Sequence, residues 1–174
     1  SGVNVRYLSG FQGDDSWLVV TKRGCYLFTD NRYTEQAEAE CVDTFVVERT
    51  GAMSDAIAVK VNGLKSVKNC GIEGGSTVEA YQVLKKKLGP KLKAVGHIVE
   101  KVRRAKDGSE VDRIKRAAKV AWRALAETKK GLKKGVSENE IAALLEYHIS
   151  AMGCGVAFDS IVAFGENGSR PHHL

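Results

Sequence analysis

The chain has 174 residues, room for one full domain or for a small domain with part of another. An apolar content of 43% with only two prolines excludes a disordered polypeptide, no apolar run is long enough to span a bilayer, and no signal-peptide pattern stands at its start, which is Ser and not Met. The net charge of +6 sits in short runs, Lys85-Lys86-Lys87, Arg103-Arg104, Lys129-Lys130 and Lys133-Lys134, with no stacking aromatics between them, so they read as solvated helix faces and nucleic-acid binding is not expected.

In chain order, Asn4-Val5-Arg6-Tyr7-Leu8-Ser9-Gly10-Phe11 leads into a short apolar strand, Trp17-Leu18-Val19-Val20. Cys25-Tyr26-Leu27-Phe28 is a second strand across a turn at Lys22-Arg23-Gly24, and the two predict a hairpin. A helix is expected from Tyr33 to Glu40, with Asp30 as its cap and Arg32 paired with Asp30 or with solvent. Thr44-Phe45-Val46-Val47 reads as a third strand, Ala56 to Leu64 as a helix, and Cys70-Gly71-Ile72-Glu73 as a fourth strand ended by Gly74-Gly75. Ser76 with Glu79 is a capping-box pattern for the next helix, whose face of Val78, Tyr81, Leu84 and Leu88 should be buried and which stops at Gly89-Pro90. Strands alternating with helices predict a small α/β domain over 1–96.

Residues 97–106 are charged, lack clear periodicity and read as a connector. Asp107 with Glu110 is a second capping box, predicting a long helix from Gly108 to about Lys130 with a buried stripe of Val111, Ile114, Ala118, Ala121, Trp122 and Leu125. Ser137-Glu138-Asn139-Glu140 is a third, and the helix behind it should bury Ile141, Leu144, Leu145, Ile149 and Met152, with His148 satisfied at a helix–helix contact. Phe158, Ile161, Val162 and Phe164 then read as a short buried strand. Gly165, Asn167 and Gly168 break it, and the loop they open delivers His172 and His173 just after Pro171. Cys25, Cys41, Cys70 and Cys154 form no Cys-x-x-Cys pair, so free, mostly buried thiols are expected rather than a zinc site.

Two blocks carry a resemblance. Tyr7-Leu8-Ser9-Gly10-Phe11 and Leu27-Phe28-Thr29-Asp30-Asn31-Arg32-Tyr33 resemble the N-terminal domain of creatinases and prolidases. Phe158-Asp159-Ser160-Ile161-Val162, Gly165-Glu166-Asn167-Gly168 and Pro171-His172-His173 resemble the start of the catalytic domain in Xaa-Pro peptidases, prolidase and aminopeptidase P. These belong to the creatinase and methionine aminopeptidase superfamily, whose catalytic domain has the pita-bread fold.

The resemblance implies an α/β chain: a creatinase-type N-terminal domain over 1–96 with a mixed sheet flanked by helices, a connector over 97–106, and the first helices and strand of an α+β pita-bread domain over 107–174. It implies a metal-dependent peptidase that cleaves the bond before proline, acting on proline-containing peptides as a cytoplasmic homodimer away from membranes. Two divalent ions (manganese, cobalt or zinc) are implied about 3.5–4 Å apart, bridged by a water of lowered pKa. His172 matches the family's active-site histidine, which is not a metal ligand and whose task is to hydrogen-bond the substrate and steady the oxyanion. Glu166 and Asn167 would shape its loop. The family's metal ligands follow this histidine and its first elements precede the Asn4-x-x-Tyr7-Leu8 motif, so the chain reads as a fragment that is inactive alone. Two rivals remain: a relative that keeps the fold as a protein- or nucleic-acid-binding scaffold, and a creatinase-type amidinohydrolase.

Overall fold

The computed structural model describes residues 1–173, which form two compact units, one over Ser1–Ala105 and one from Lys106 onward. In the first, β1 (Trp17–Thr21) and β2 (Gly24–Thr29) pair antiparallel across Lys22 and Arg23, with Trp17 opposite Phe28. Helix α2 (Thr34–Glu40) carries the chain back so that β3 (Thr44–Glu48) lies parallel to β2, giving a mixed sheet in the order β1-β2-β3. Helix α3 (Met53–Asn62) leads to β4 (Asn69–Glu73), and α4 (Val78–Lys87) crosses over to β5 (Lys91–Val95), which pairs parallel with β4.

Strand β2 is central, and its period of two sends neighbouring side chains to opposite faces. Phe28, 1% exposed, packs with Ile57, Val61, Ile72, Leu84 and Leu92, a core built by α3, α4 and the second sheet. Leu27, 0% exposed, packs on the other face with Val5, Phe11 and Ala37. Each such side chain stabilises the fold by about 1.5–3 kcal/mol. The run Lys85-Lys86-Lys87 falls on the last turn of α4, where cations face the negative end of the helix dipole.

Three elements of this unit go beyond the sequence reading. Gly2–Ser9 is a helix, α1, although β-branched Val3 and Val5 disfavour one. Tertiary bonds hold it. The buried Asn4 amide donates to Glu73 Oε1 and to Glu100 Oε1, both at 2.7 Å, and its Oδ1 accepts from Arg103 at 2.8 Å. The helix ends at Gly10 in the left-handed conformation (φ 86), where a Cβ would also come within 2.7 Å of the Glu40 carbonyl oxygen. Strand β5 was hidden by its alternating lysines, and the charged stretch after it contains helix α5 (Ile98–Arg104), which the Asn4 bonds tie to α1.

The cap of α4 is Thr77 and not Ser76: the Thr77 hydroxyl accepts from Ala80 N–H at 3.1 Å, while Ser76 N–H closes a turn onto Glu73. That one-residue shift leaves Val78 exposed, with Leu84 and Leu88 buried as expected. Asp30 does not cap α2 either, since its carboxylate is engaged with arginines.

In the second unit, α6 (Gly108–Lys129) and α7 (Glu138–Ala151) both start with complete capping boxes, Asp107 with Glu110 and Ser137 with Glu140. The expected stripe of α6 is not buried along its length. Ala124 and Thr128 are buried, whereas Val111 and Ile114 are exposed and Trp122 is 71% exposed. At 22 residues against 14, α6 outruns its partner by about 12 Å, so α7 covers only its C-terminal part. Ile141 of α7 is buried, and Leu144, Leu145, Ile149 and Met152 are half-buried. His148 is half-buried, edge-on to the Tyr147 ring at 5.4 Å.

The expected buried strand at 158–164 does not form as a strand. Phe164 has extended backbone, but the segment pairs with no ladder among the described residues, and Phe158 is 81% exposed. A β-rich sequence becomes a strand only where an edge accepts its hydrogen bonds. The cysteines are free thiols, as expected, but they are not mostly buried: Cys25, Cys41 and Cys70 are half-buried and Cys154 is exposed, and partial burial pushes the Cys41 and Cys70 thiols up. Among the described residues no helix is long and apolar enough to cross a membrane.

Candidate functional site

Two clusters of ionisable side chains invite a functional reading. The first lies in the N-terminal unit, where Asp30 follows β2 and Arg49 follows β3. Arg32 forks onto Asp30, Nε to Oδ1 at 2.9 Å and Nη2 to Oδ2 at 2.7 Å, and also reaches Asp15 at 2.9 Å. Arg49 bonds Asp15 at 2.6 Å and Asp30 at 3.4 Å. The Arg32 fork holds the Asp30 carboxyl well below the usual carboxylate range and raises the Arg32 guanidinium in turn. Two aspartates are matched by two arginines. The group therefore staples a loop to two strand ends and offers no poised acid or base.

The second cluster gathers around Glu138, the first residue of α7. The cap of that helix is complete without it: Ser137 Oγ accepts from Glu140 N–H at 3.2 Å, and Glu140 Oε2 accepts from Ser137 N–H at 2.8 Å. The Glu138 carboxylate is left to reach the loop. Its Oε1 accepts the Phe164 N–H and the Asn167 side-chain amide at 3.2 Å. Its Oε2 accepts from Asn167 at 3.0 Å and lies 3.0 Å from His173 Nε2. A carboxylate can only accept, so His173 presents Nε2–H to it. The Phe164 amide above all, then Asn167 and His173, hold the Glu138 carboxyl below its ordinary value against a smaller opposing desolvation.

Between these anchors runs a 3-10 turn, Gly165–Ser169, entered through Gly165 at φ 50. Asn167 N–H donates to the Phe164 carbonyl at 3.0 Å and Arg170 N–H to that of Asn167 at 2.9 Å, so the loop is wound tightly before Pro171. Asn167 thus shapes the loop, as the resemblance implies, and Glu166 contributes its carbonyl, which accepts from Ser169 Oγ at 2.8 Å. Pro171 and His172 form a turn. His173 is fastened to Glu138, while His172 is exposed and bonds nothing among the described residues.

Glu138 is no site candidate in the sequence reading, which places it only within the capping-box run. One signal was available: a second acid beside a complete Ser137–Glu140 box is redundant for the cap. A cleft of about 410 Å³ in the first unit is lined by Asn62, Lys65, Lys68 and Pro90 among others and holds no acid, His or Cys.

Residues 1–105 match the Creatinase/Prolidase N-terminal domain, and residues 112–174 match metallopeptidase family M24. The uncharacterized peptidase YqhT of Bacillus subtilis is 32% identical over 99% of this chain and 49% of its own length. Among solved structures, the Xaa-Pro dipeptidase from Bacillus anthracis superposes with a TM-score of 0.93 at 30% identity, over 100% of this chain and 49% of that one. The X-Pro aminopeptidase from Thermotoga maritima gives 0.86 at 35% identity, over 99% of this chain and 49% of that one. The chain spans about half the length of the curated relatives it matches. An M24 match implies divalent metal ions. The donors for such ions do not fit within the described residues, where no group of three or more His, Cys, Asp or Glu could hold one. With the α/β architecture and both family matches in sequence order, the chain belongs to the creatinase/prolidase family, its N-terminal domain joined to the opening of an M24 metallopeptidase domain.

Proposed function

We propose that the protein bearing this chain hydrolyses the peptide bond before a proline, as a dipeptidase or an aminopeptidase. The observation that carries this reading is the clasped loop that turns His172 outward while His173 is tied back to Glu138. An exposed imidazole on a tightly wound loop is placed to hydrogen-bond a substrate carbonyl and to steady the negative charge that develops on it. The substrate's imide has no N–H and bends the chain, so the bond demands a dedicated site. In the same reading the metals are two divalent ions, manganese, cobalt or zinc, and the protein is a cytoplasmic homodimer. The N-terminal domain and the catalytic domain meet within 97–106.

The test compares two lengths of protein on a Xaa-Pro dipeptide and a Xaa-Pro tripeptide with manganese, cobalt or zinc. A protein of its relatives' full length should cleave at least one of them and spare a dipeptide without proline. The 174-residue chain, with no metal-ligand cluster among its described residues, should give no turnover above a no-protein blank. Metal-dependent hydrolysis by the short chain would mean that a site within it has been missed. No proline-directed hydrolysis by the long one would return the scaffold and amidinohydrolase readings to the front.

The basic runs favour solvent over nucleic acid. Lys87 is tied to Ser54 at 3.0 Å and paired with Asp55, Lys85 lies over the Tyr81 ring, and Lys130 pairs with Glu127. Duplex DNA or RNA should bind weakly at physiological salt, with no sequence preference, in a filter-binding or fluorescence-anisotropy titration. Tight, sequence-selective binding would promote the scaffold.

A further inference from the structure

Glu138 is bonded to three residues that lie 26, 29 and 35 positions further along the chain, and they are the residues that begin, wind and end the histidine loop. We propose that Glu138 is the positioning residue of this loop: its carboxylate fixes the direction in which His172 is presented by holding Phe164 N–H, Asn167 and His173 at once. The inference rests on the peptidase reading for the use made of His172, and on geometry alone for the clasp.

The chemistry of a carboxylate suits this task. It has about four lone-pair sites on two oxygens, and here donors from a backbone amide, a side-chain amide and an imidazole meet them. Bonds to an ionised acceptor are roughly twice as strong as neutral ones. The anchor is rigid, because Glu138 stands on the first turn of a capped 14-residue helix. The loop's other hydrogen bonds among the described residues are internal, so they wind it without fastening it to the helix. Its glycines give it freedom, Phe164 has no strand partner among the described residues, and Pro171 donates nothing. The order of bonds also sorts the two histidines. Fastening His173 commits one imidazole to the protein and leaves its neighbour for a substrate.

A simpler role for Glu138 would be that of an acid in the first helical turn, favourable to the helix dipole. Glu140 separates the two roles, since it is in the same turn and completes the cap but bonds nothing in the loop. The test therefore uses Glu138→Gln, Glu138→Ala and Glu140→Gln in the full 174-residue chain, reading amide hydrogen exchange at Phe164 and ¹⁵N relaxation over residues 165–173. Glu138→Ala should speed exchange at Phe164 by about tenfold to a hundredfold, the loss of a hydrogen bond to a charged group, and disorder the loop. Glu138→Gln, isosteric and the variant to rely on if Ala fails to fold, should release His173 and Asn167 more than Phe164. Glu140→Gln should lower the melting temperature and leave the loop ordered. Unchanged loop order in Glu138→Gln, or equal release in Glu140→Gln, overturns the clasp.

The functional arm uses a protein of the relatives' full length. Glu138→Gln should lower kcat on a Xaa-Pro dipeptide by about tenfold or more at unchanged metal content, since small misplacement of a reacting group is costly. Loop release with unchanged kcat overturns the positioning role. Absence of Xaa-Pro hydrolysis in the unaltered protein sinks the peptidase reading, and the loop measurements on the short chain then stand as support for the clasp alone.

Discussion

His172→Ala, in a protein of the relatives' full length, is expected to lower kcat about a hundredfold or more at unchanged metal content, and His173→Ala only mildly. The two residues are adjacent and chemically identical, so the contrast rests on where the loop puts them. His173 Nε2 is 3.0 Å from Glu138, whereas His172 is exposed with its ring free to meet a ligand. A group that stabilises charge only in the transition state lowers kcat when removed and leaves ground-state binding alone. His173→Ala removes one of three anchors from the clasp, and the Phe164 and Asn167 bonds to Glu138 remain. Steady-state kinetics on a Xaa-Pro dipeptide, with metal measured in each variant, separate the outcomes. Equal losses from both substitutions would show that the loop, not the His172 imidazole, is what matters. Metal lost from His172→Ala would make it a ligand.

What the sequence discloses here is mostly local, though it misassigns two local caps, Ser76 and Asp30. The hairpin of β1 and β2 follows from two apolar runs across a short turn, and both capping boxes of the second unit are visible as Asp107–Glu110 and Ser137–Glu140. Elements held by distant partners were not visible. Helix α1 depends on Asn4 meeting Glu73 and Glu100, 69 and 96 residues away, and no window of sequence contains that bond. Strand β5 is specified by its pairing with β4 more than by its own lysine-rich pattern. The reverse error came from the same source. Residues 158–164 have the composition of a strand, but composition does not supply an edge to pair with, and the α6 stripe likewise has the period of a buried face without a cover over its first turns. The site divides in the same way. His172, His173 and the glycine-rich turn are contiguous and could be read together, whereas Glu138 joins them only in three dimensions.

Leu27→Ala should cost the N-terminal unit about 2–5 kcal/mol, while Val20→Ala in the neighbouring strand should cost less than about 1 kcal/mol. Both remove methyl groups from the same hairpin, where Val20 lies opposite Cys25 and Leu27 opposite Leu18. Burial is what differs. Leu27 is 0% exposed on the central strand, enclosed by Val5, Phe11 and Ala37, and Val20 is 57% exposed on the outer one. Truncating Leu27 leaves a cavity walled by side chains from α1, α2, β1 and β3 and by Phe11, and elements fixed by the Gly10 approach to Glu40 have little room to collapse into it. For a unit of roughly 100 residues, each kcal/mol lowers the melting temperature by about 4–8 °C, so a loss of about 8–40 °C is expected. Urea melts followed by circular dichroism would give the free energies directly. A Leu27→Ala cost no larger than that of Val20→Ala would mean that the face of β2 turned towards α1 is not a core, and with it the case for α1 as an integral element of the domain would fall.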